Sequence, residues 1–243
     1  MNQVIELLKN HRSIRQFTNE AVTLDQLRTI IEAAGAASTS NYIQAYSVIN
    51  VTNKITRQQL SELAGGQKWV LESPIFLVFC ADLKRAQSAC DFENIIMDSG
   101  YTEQFMVSTV DVSLAAQNAM IAAESLGLGG VFIGGIRNNP QAVCDLLNIP
   151  KQVTPIFGMC LGYPAVQPEQ KPRLPVDVVL MQDSYQEDVS YMKTYNDTCH
   201  AYYQSRSSSA RVETWTHQIA LMVSKPARQH MKEFLAKQGL AIK

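Results

Sequence analysis

Seven residues near the start of the chain, His11-Arg12-Ser13-Ile14-Arg15-Gln16-Phe17, bring two guanidinium groups, an imidazole and a hydroxyl into one short segment. A guanidinium presents a planar fork of donors that binds a phosphate or a carbonyl edge at two points. Ser13 adds a hydroxyl donor, and Ile14 and Phe17 can anchor the segment to a core. Taken alone, such a segment reads equally well as a solvated basic turn. A second basic cluster, Lys171-Pro172-Arg173-Leu174-Pro175, lies far downstream. Two separated clusters with phosphate-binding chemistry point to one anion clamped from two sides. The alternative for the second cluster is a solvated, proline-flanked loop.

Other chemistry finds little support. No nucleophile–base pair or carboxylate pair stands out, and Gly127-Leu128-Gly129-Gly130 has the wrong spacing for a dinucleotide turn. The four histidines are scattered and the cysteines form no C-x-x-C pair, so no metal site is expected. Chemistry without its own side-chain machinery usually belongs to a cofactor, with the protein supplying position and electrostatics.

The net charge of -1 gives no global pull towards nucleic acid or anionic membrane, so basic clusters must act locally. A hydrophobic share of 46% and a charged share of 18% are those of an ordinary globular protein. Five cysteines, several inside apolar runs such as Ile75–Ala81, read as reduced core residues and imply a cytoplasmic setting. No secretory signal and no uninterrupted apolar run of membrane-spanning length is apparent.

The elements that must position these residues alternate along the chain. A helix over residues 3–10 precedes the Arg-rich segment, and Thr23 with Gln26 forms a capping box for a second helix. That helix runs out in a small-residue loop containing Thr39 and Asn41. Strands are predicted at Tyr46–Val51, Ile75–Ala81, Val131–Ile133 and Val153–Leu161, the second buried on both faces. Helices are predicted at Ile55–Leu63, at Val110–Leu126, which is apolar almost all round, and from Pro140 to Leu147. Residues 183–211, with five tyrosines among polar residues, read as an arm laid over a surface. Helices over 212–223 and from Pro226 to Gln238 close the chain, which reads as one domain over 1–243 of α+β or α/β class, residues 176–243 forming a C-terminal arm and helices.

HRSIRQF at His11, GGQKWV at Gly65, AAESLGLGGVFIGGIRNN at Ala122, KPRLP at Lys171 and the C-terminal YY…SR…ETW occur in an order that resembles the FMN-dependent nitroreductase superfamily. Within it the chain is most similar to the oxygen-insensitive NADPH nitroreductase and NADPH-flavin reductase group. The resemblance implies an α+β nitroreductase-like fold, a central mixed β-sheet wrapped by helices. It also implies a homodimer whose C-terminal extension embraces the partner. By the family pattern, His11, Arg12 and Ser13 contact the FMN phosphate, with Lys171 and Arg173 as its second clamp. Arg15 falls beside the N1/O2 edge of the flavin, Gln67 at the ring, and Trp69 where another aromatic or an imidazole is common. Phe132, Ile133, Gly134 and Gly135 match the strand bordering the flavin, although glycines there also fit a strand end turning into a loop. Thr39 and Asn41 match a loop that is serine-rich in the family. Arg206 and Arg211 match the residues associated with NADPH preference, in a serine-rich stretch that otherwise reads as an exposed loop.

The function so implied is a ping-pong, two-electron reduction of nitroaromatics, quinones or free flavin, with NADPH as preferred donor and bound FMN carrying the chemistry. No catalytic side chain is expected. A flavin reductase releasing reduced FMN to a partner would share the fold and pocket. A flavin-binding carrier or sensor without turnover belongs to a different class, and the two arginines would have no purpose in it.

Overall fold

The computed structural model describes residues 2–206 and 213–243. Its elements run α1 (Gln3–Lys9), α2 (Leu24–Gly35), β1 (Tyr46–Asn50), α3 (Lys54–Leu63), α4 (Trp69–Glu72), β2 (Ile75–Asp82), α5 (Lys84–Phe92) and α6 (Thr102–Ser125). They continue with β3 (Gly129–Ile133), α7 (Pro140–Leu147), β4 (Val153–Gly162), α8 (Val176–Val179), α9 (Tyr191–Ser205), α10 (Trp215–Val223) and α11 (Met231–Gln238). The chain gathers into two compact units, one of Met1–Pro168 with Arg228–Lys243, the other of Glu169–Ala227.

The first unit is built on a sheet of order β1-β2-β4-β3. Strand β2 is apolar throughout because both its faces are covered. Leu77, Phe79 and Ala81 enter the core shared with α2 and α6, while Phe76, Val78 and Cys80 enter the core shared with α3, α7 and α11. This is the period-two alternation of a central strand. All three ladders are antiparallel, and among the described residues the parallel component expected of a mixed sheet is confined to one bridge between Ser13 and Gly130. The reason is local: the 11–17 segment meets the edge of β3 at that point and then passes on to Pro164.

Helix α6 starts eight residues before the predicted boundary at Val110. Only Thr102, Glu103 and Gln104 open it in polar fashion, and the apolar Phe105, Met106 and Val107 that follow are consecutive and so mark no single helical face, but the Gln104 side chain accepts from the Tyr101 N–H at 3.3 Å and holds the start. At 24 residues the helix is long and apolar enough, by length and composition, to cross a membrane, although polar residues interrupt it throughout. Its packing argues otherwise: Val112, Ala115, Ala116, Ala119, Met120 and Ala123 are buried in the core of the first unit, and so are Ser108 and Asp111.

Two further boundaries differ from expectation. The tyrosine-rich stretch read as a surface arm is largely helix α9, whose Tyr195 is 7% exposed and meets the Trp215 ring edge-on at 5.3 Å. Tyrosines four apart on a helix share one face, and here that face makes the core of the second unit. Burial and a hydrogen bond with Cys199 push the Tyr195 phenol up to about 12. Pro226 does not open α11, which begins five residues later at Met231. Cys80, Cys144, Cys160 and Cys199 are buried and Cys90 partly so, all free. Burial pushes the Cys144 thiol up to about 11 and Cys160 to about 12, which keeps both protonated and unreactive.

Candidate functional site

The basic segment is held by backbone at three points. Ile14 N–H donates to the Gly130 carbonyl at 2.8 Å, Thr18 N–H to Tyr163 at 2.9 Å, and Ala165 N–H to Gln16 at 3.0 Å. Ile14 is 4% exposed and lies so close to β3 that a Cβ on Gly129 would stand 2.4 Å from its Cγ1. With Ile14 anchored, Arg15 is left exposed, while Arg12 and Ser13 are partly buried. Arg12 lines a cavity of about 200 Å³ with Asn10, Glu124 and Gln167, and its buried Nε has no hydrogen-bond partner. A buried guanidinium N–H without an acceptor is costly unless a ligand supplies one. His11 Nδ1 lies 2.6 Å from the Glu124 carboxylate.

Arg15 turns the other way, its guanidinium carbon 5.7 Å from the centre of the Trp69 ring. Trp69 Nε1–H donates to Gln67 Oε1 at 3.2 Å, and Gln67 Nε2 donates to the Ala64 carbonyl at 2.8 Å. Arg57, 8% exposed, fixes α4 from beneath by donating to the carbonyls of Val70 and Ser73. Burial lowers the Arg57 pKa, yet a guanidinium keeps its charge. Strand β3 ends at Ile133, so Gly134 and Gly135 open a 3₁₀ turn (Gly134–Asn138) rather than extend the strand. Ile133 is fully buried and can offer only backbone, whereas Phe132 is 37% exposed and packs edge-on against Phe157 at 5.2 Å.

Gly135 is where these parts meet. A Cβ there would lie 2.3 Å from the Ala64 carbonyl and 2.5 Å from Gln67 Nε2. The 64–67 turn can approach only a residue without a side chain. Gly135→Ala is therefore expected to cost about 1–3 kcal/mol of stability and to displace Gln67, lowering flavin absorbance per mole of purified protein. Wild-type flavin content in that variant would show that the contact does not shape the site.

Thr39 and Asn41 lie on a loop with an unusual backbone. Asn41, Tyr42 and Gln44 all have positive φ, at 47°, 59° and 53°. Such conformations cost free energy for non-glycine residues and persist only where the surroundings impose them. Here the imposing group is Asp111, 1% exposed in the middle of α6. Its Oδ1 accepts from Ser40 N–H and its Oδ2 from Ala45 N–H, both at 3.0 Å, so one carboxylate holds both ends of the loop. Nothing in the expected site included Asp111. Its only signal was a lone acidic residue in an apolar helical run.

The second unit carries Lys171 and Arg173, which line a cavity of about 240 Å³ with Tyr195, Cys199, Tyr202 and Trp215. Arg206 caps the C-terminal end of α9, its guanidinium carbon 5.8 Å from the centre of the Tyr202 ring. Arg211 lies outside the described residues. The first unit thus brings Arg15, Gln67, Trp69 and Gly135 together, with His11 and Arg12 on the same anchored segment as Arg15. A cation, an amide and exposed aromatic surface suit a planar heteroaromatic ligand bearing an anionic edge. Among the described residues no group of three or more His, Cys, Asp or Glu is placed to hold a metal ion.

Comparison with known proteins is consistent along the whole chain. Residues 8–163 match the family model described as "Nitroreductase family", and residues 171–243 match "Nitroreductase family, C-terminal domain". The chain is 45% identical over 242 residues to the oxygen-insensitive NADPH nitroreductase of Salmonella typhimurium, covering 99% of each chain. It is 42% identical over 245 residues to an FMN reductase (NADPH) of Bacillus subtilis, covering 98% of each. The solved NADPH:FMN oxidoreductase from Vibrio harveyi complexed with NAD+ superimposes with a TM-score of 0.92 at 39% identity, covering 100% of both chains.

Proposed function

The chain belongs to the nitroreductase family, and from that premise we infer that it is an FMN-dependent NAD(P)H oxidoreductase that reduces nitroaromatics, quinones or free flavin. The observation that carries this reading is the joining of Arg15, Gln67 and Trp69 around Gly135. The residues present fit the cofactor: Arg12 Nε is a buried donor awaiting an acceptor, as a phosphate oxygen would provide. When bound, FMN supplies the two-electron chemistry, taking hydride from NAD(P)H and passing electrons to a second substrate.

The chain's own residues bind and orient. His11, Arg12 and Ser13 are proposed to take the phosphate. Arg15 is proposed to hold a positive charge at the N1/O2 edge, where negative charge develops on reduction. Gln67 and Trp69 would hold the ring, with Phe132, the backbone of Ile133, Gly134 and Gly135, and the loop residues Thr39 and Asn41 completing its surroundings. Lys171 and Arg173 are proposed as further phosphate contacts, and Arg206 with Arg211 as contacts to NADPH, on the family pattern.

The decisive experiment is steady-state turnover with NADPH and with NADH, each offered nitrofurazone, a quinone and free FMN. A yellow protein that turns over at least one acceptor is expected. Stoichiometric flavin with no turnover on any acceptor would favour the carrier or sensor instead, and a colourless protein that binds no added FMN would end both readings. Fast turnover confined to free FMN would mark a flavin reductase.

We also propose a cytoplasmic homodimer. Met106, Val110 and Leu114 form an exposed apolar stripe on α6, and Val4, Ile5 and Leu8 are exposed on α1, which packs against α6. Exposed apolar surface of this kind marks an interface. Light scattering is expected to give twice the 27.0 kDa chain mass, with an interface above the standard size of about 1,600 Å². A monomer that keeps its flavin would contradict this.

A further inference from the structure

Glu124 has no part in the roles assigned above, yet it makes one of the shortest long-range polar contacts in the first unit. Its Oε1 lies 2.6 Å from His11 Nδ1, across 113 residues of sequence. The carboxylate side chain is 11% exposed and the imidazole 26%. An ionised carboxylate can only accept, so Nδ1 carries the proton in this pair. That choice fixes what the other ring nitrogen can do. In a neutral ring with the proton on Nδ1, Nε2 is an acceptor and would meet a phosphate oxygen lone pair to lone pair. Only the imidazolium has N–H donors on both nitrogens.

We propose that Glu124 is a positioning residue for cofactor binding: by holding Nδ1 as a donor, it orients His11 to present Nε2 to the FMN phosphate as an imidazolium N–H. The proposal rests on the reading of His11 to Ser13 as phosphate contacts. It explains why an acidic side chain lines the same cavity as Arg12, where a bare carboxylate would repel an anion. The pairing resembles the arrangement in which an outer carboxylate fixes the tautomer of a histidine whose second nitrogen does the binding.

Two physical effects predict opposite signs, which makes the test sharp. If Glu124 acted only through its charge, deleting it would remove repulsion and tighten FMN binding. If it acts through His11, deleting it weakens binding. Affinities for FMN and for riboflavin, which lacks the phosphate, are measured for the wild type, Glu124→Gln and Glu124→Ala, each with and without His11→Gln. We expect Glu124→Ala to weaken FMN binding by about 10-fold and to leave riboflavin binding unchanged. Glu124→Gln keeps an acceptor oxygen without the charge and should fall between. In the His11→Gln background Glu124→Ala should have no further effect, because the cycle isolates what passes through the pair. In the holoprotein, long-range proton–nitrogen spectra of labelled histidine should show His11 Nδ1 protonated.

FMN binding that is unchanged or tighter in Glu124→Ala would overturn the proposal. So would an equal loss in the His11→Gln background, or a bare Nδ1 in the spectrum. Should Glu124→Ala not fold, Glu124→Gln and the wild-type spectrum decide. A wild type that binds FMN no better than riboflavin would instead refute the phosphate reading itself, and the proposal with it.

Discussion

Asp111→Ala is expected to lower the melting temperature by on the order of 10 °C and to release most of the bound flavin. The carboxylate sits 1% exposed in α6 and accepts from Ser40 N–H and Ala45 N–H, one on each oxygen. Alanine would remove two charge-assisted hydrogen bonds, and Ala45, 1% exposed, would be left with a buried donor and no acceptor. Leaving such donors unsatisfied costs about 3–5 kcal/mol in all. For a chain of this size each kcal/mol shifts the midpoint by roughly 2–4 °C. Within the loop, Ile43 N–H donates to Ser40 and Tyr46 N–H to Gln44, but these local bonds do not tie its ends to α6 as Asp111 does, and Asn41, Tyr42 and Gln44 keep their positive φ. Once its ends are freed it should relax, carrying Thr39 and Asn41 away from their places. Asp111→Asn keeps one good acceptor and should lose about half as much stability. Flavin content and thermal denaturation together decide the matter. A variant that melts like the wild type and stays yellow would mean that the loop holds itself.

Asp111 also shows where the sequence stops being readable. In sequence it is one acidic residue between Val110 and Val112 in an apolar run, and its partners are 71 and 66 residues away. No local pattern encodes such a pairing. The same holds for Gly135, whose glycine is visible but whose need to admit the Ala64 carbonyl is not. What was legible was local. The Thr23–Gln26 capping box is present at the start of α2, the Asn139 side chain caps α7 with Pro140 at its first position, and β2 spans the continuous apolar run. Where amphipathic signal was absent, boundaries failed: the start of α6, where Phe105, Met106 and Val107 run consecutively after a polar opening, and the tyrosine-rich α9, whose buried face faces Trp215 some twenty residues on. The basic segment was legible as chemistry because its residue types are concentrated, but the opposite turns of Arg12 and Arg15 follow from the anchoring of Ile14 against Gly129.

Arg206→Ala is expected to reduce kcat/KM for NADPH by roughly 10- to 100-fold while leaving NADH nearly untouched. NADPH differs from NADH by a 2′-phosphate, which needs fixed cations in a protein whose net charge is only -1. Arg206 is proposed to be one. Its guanidinium lies against the Tyr202 ring at the end of α9, which limits the side-chain freedom lost when it binds. If the contact exists equally with bound nucleotide and in the transition state, its loss raises KM for NADPH and leaves kcat near its original value. Arg206→Lys separates charge from geometry. Lysine keeps the charge but not the planar fork, so it should recover only part of the affinity. The Tyr202 contact supplies the control for stability, since a partly exposed cation–π pair is worth about 0.5–2 kcal/mol, too little to unfold the second unit. Equal losses with NADPH and NADH would therefore mean that Arg206 maintains α9 and does not read the phosphate.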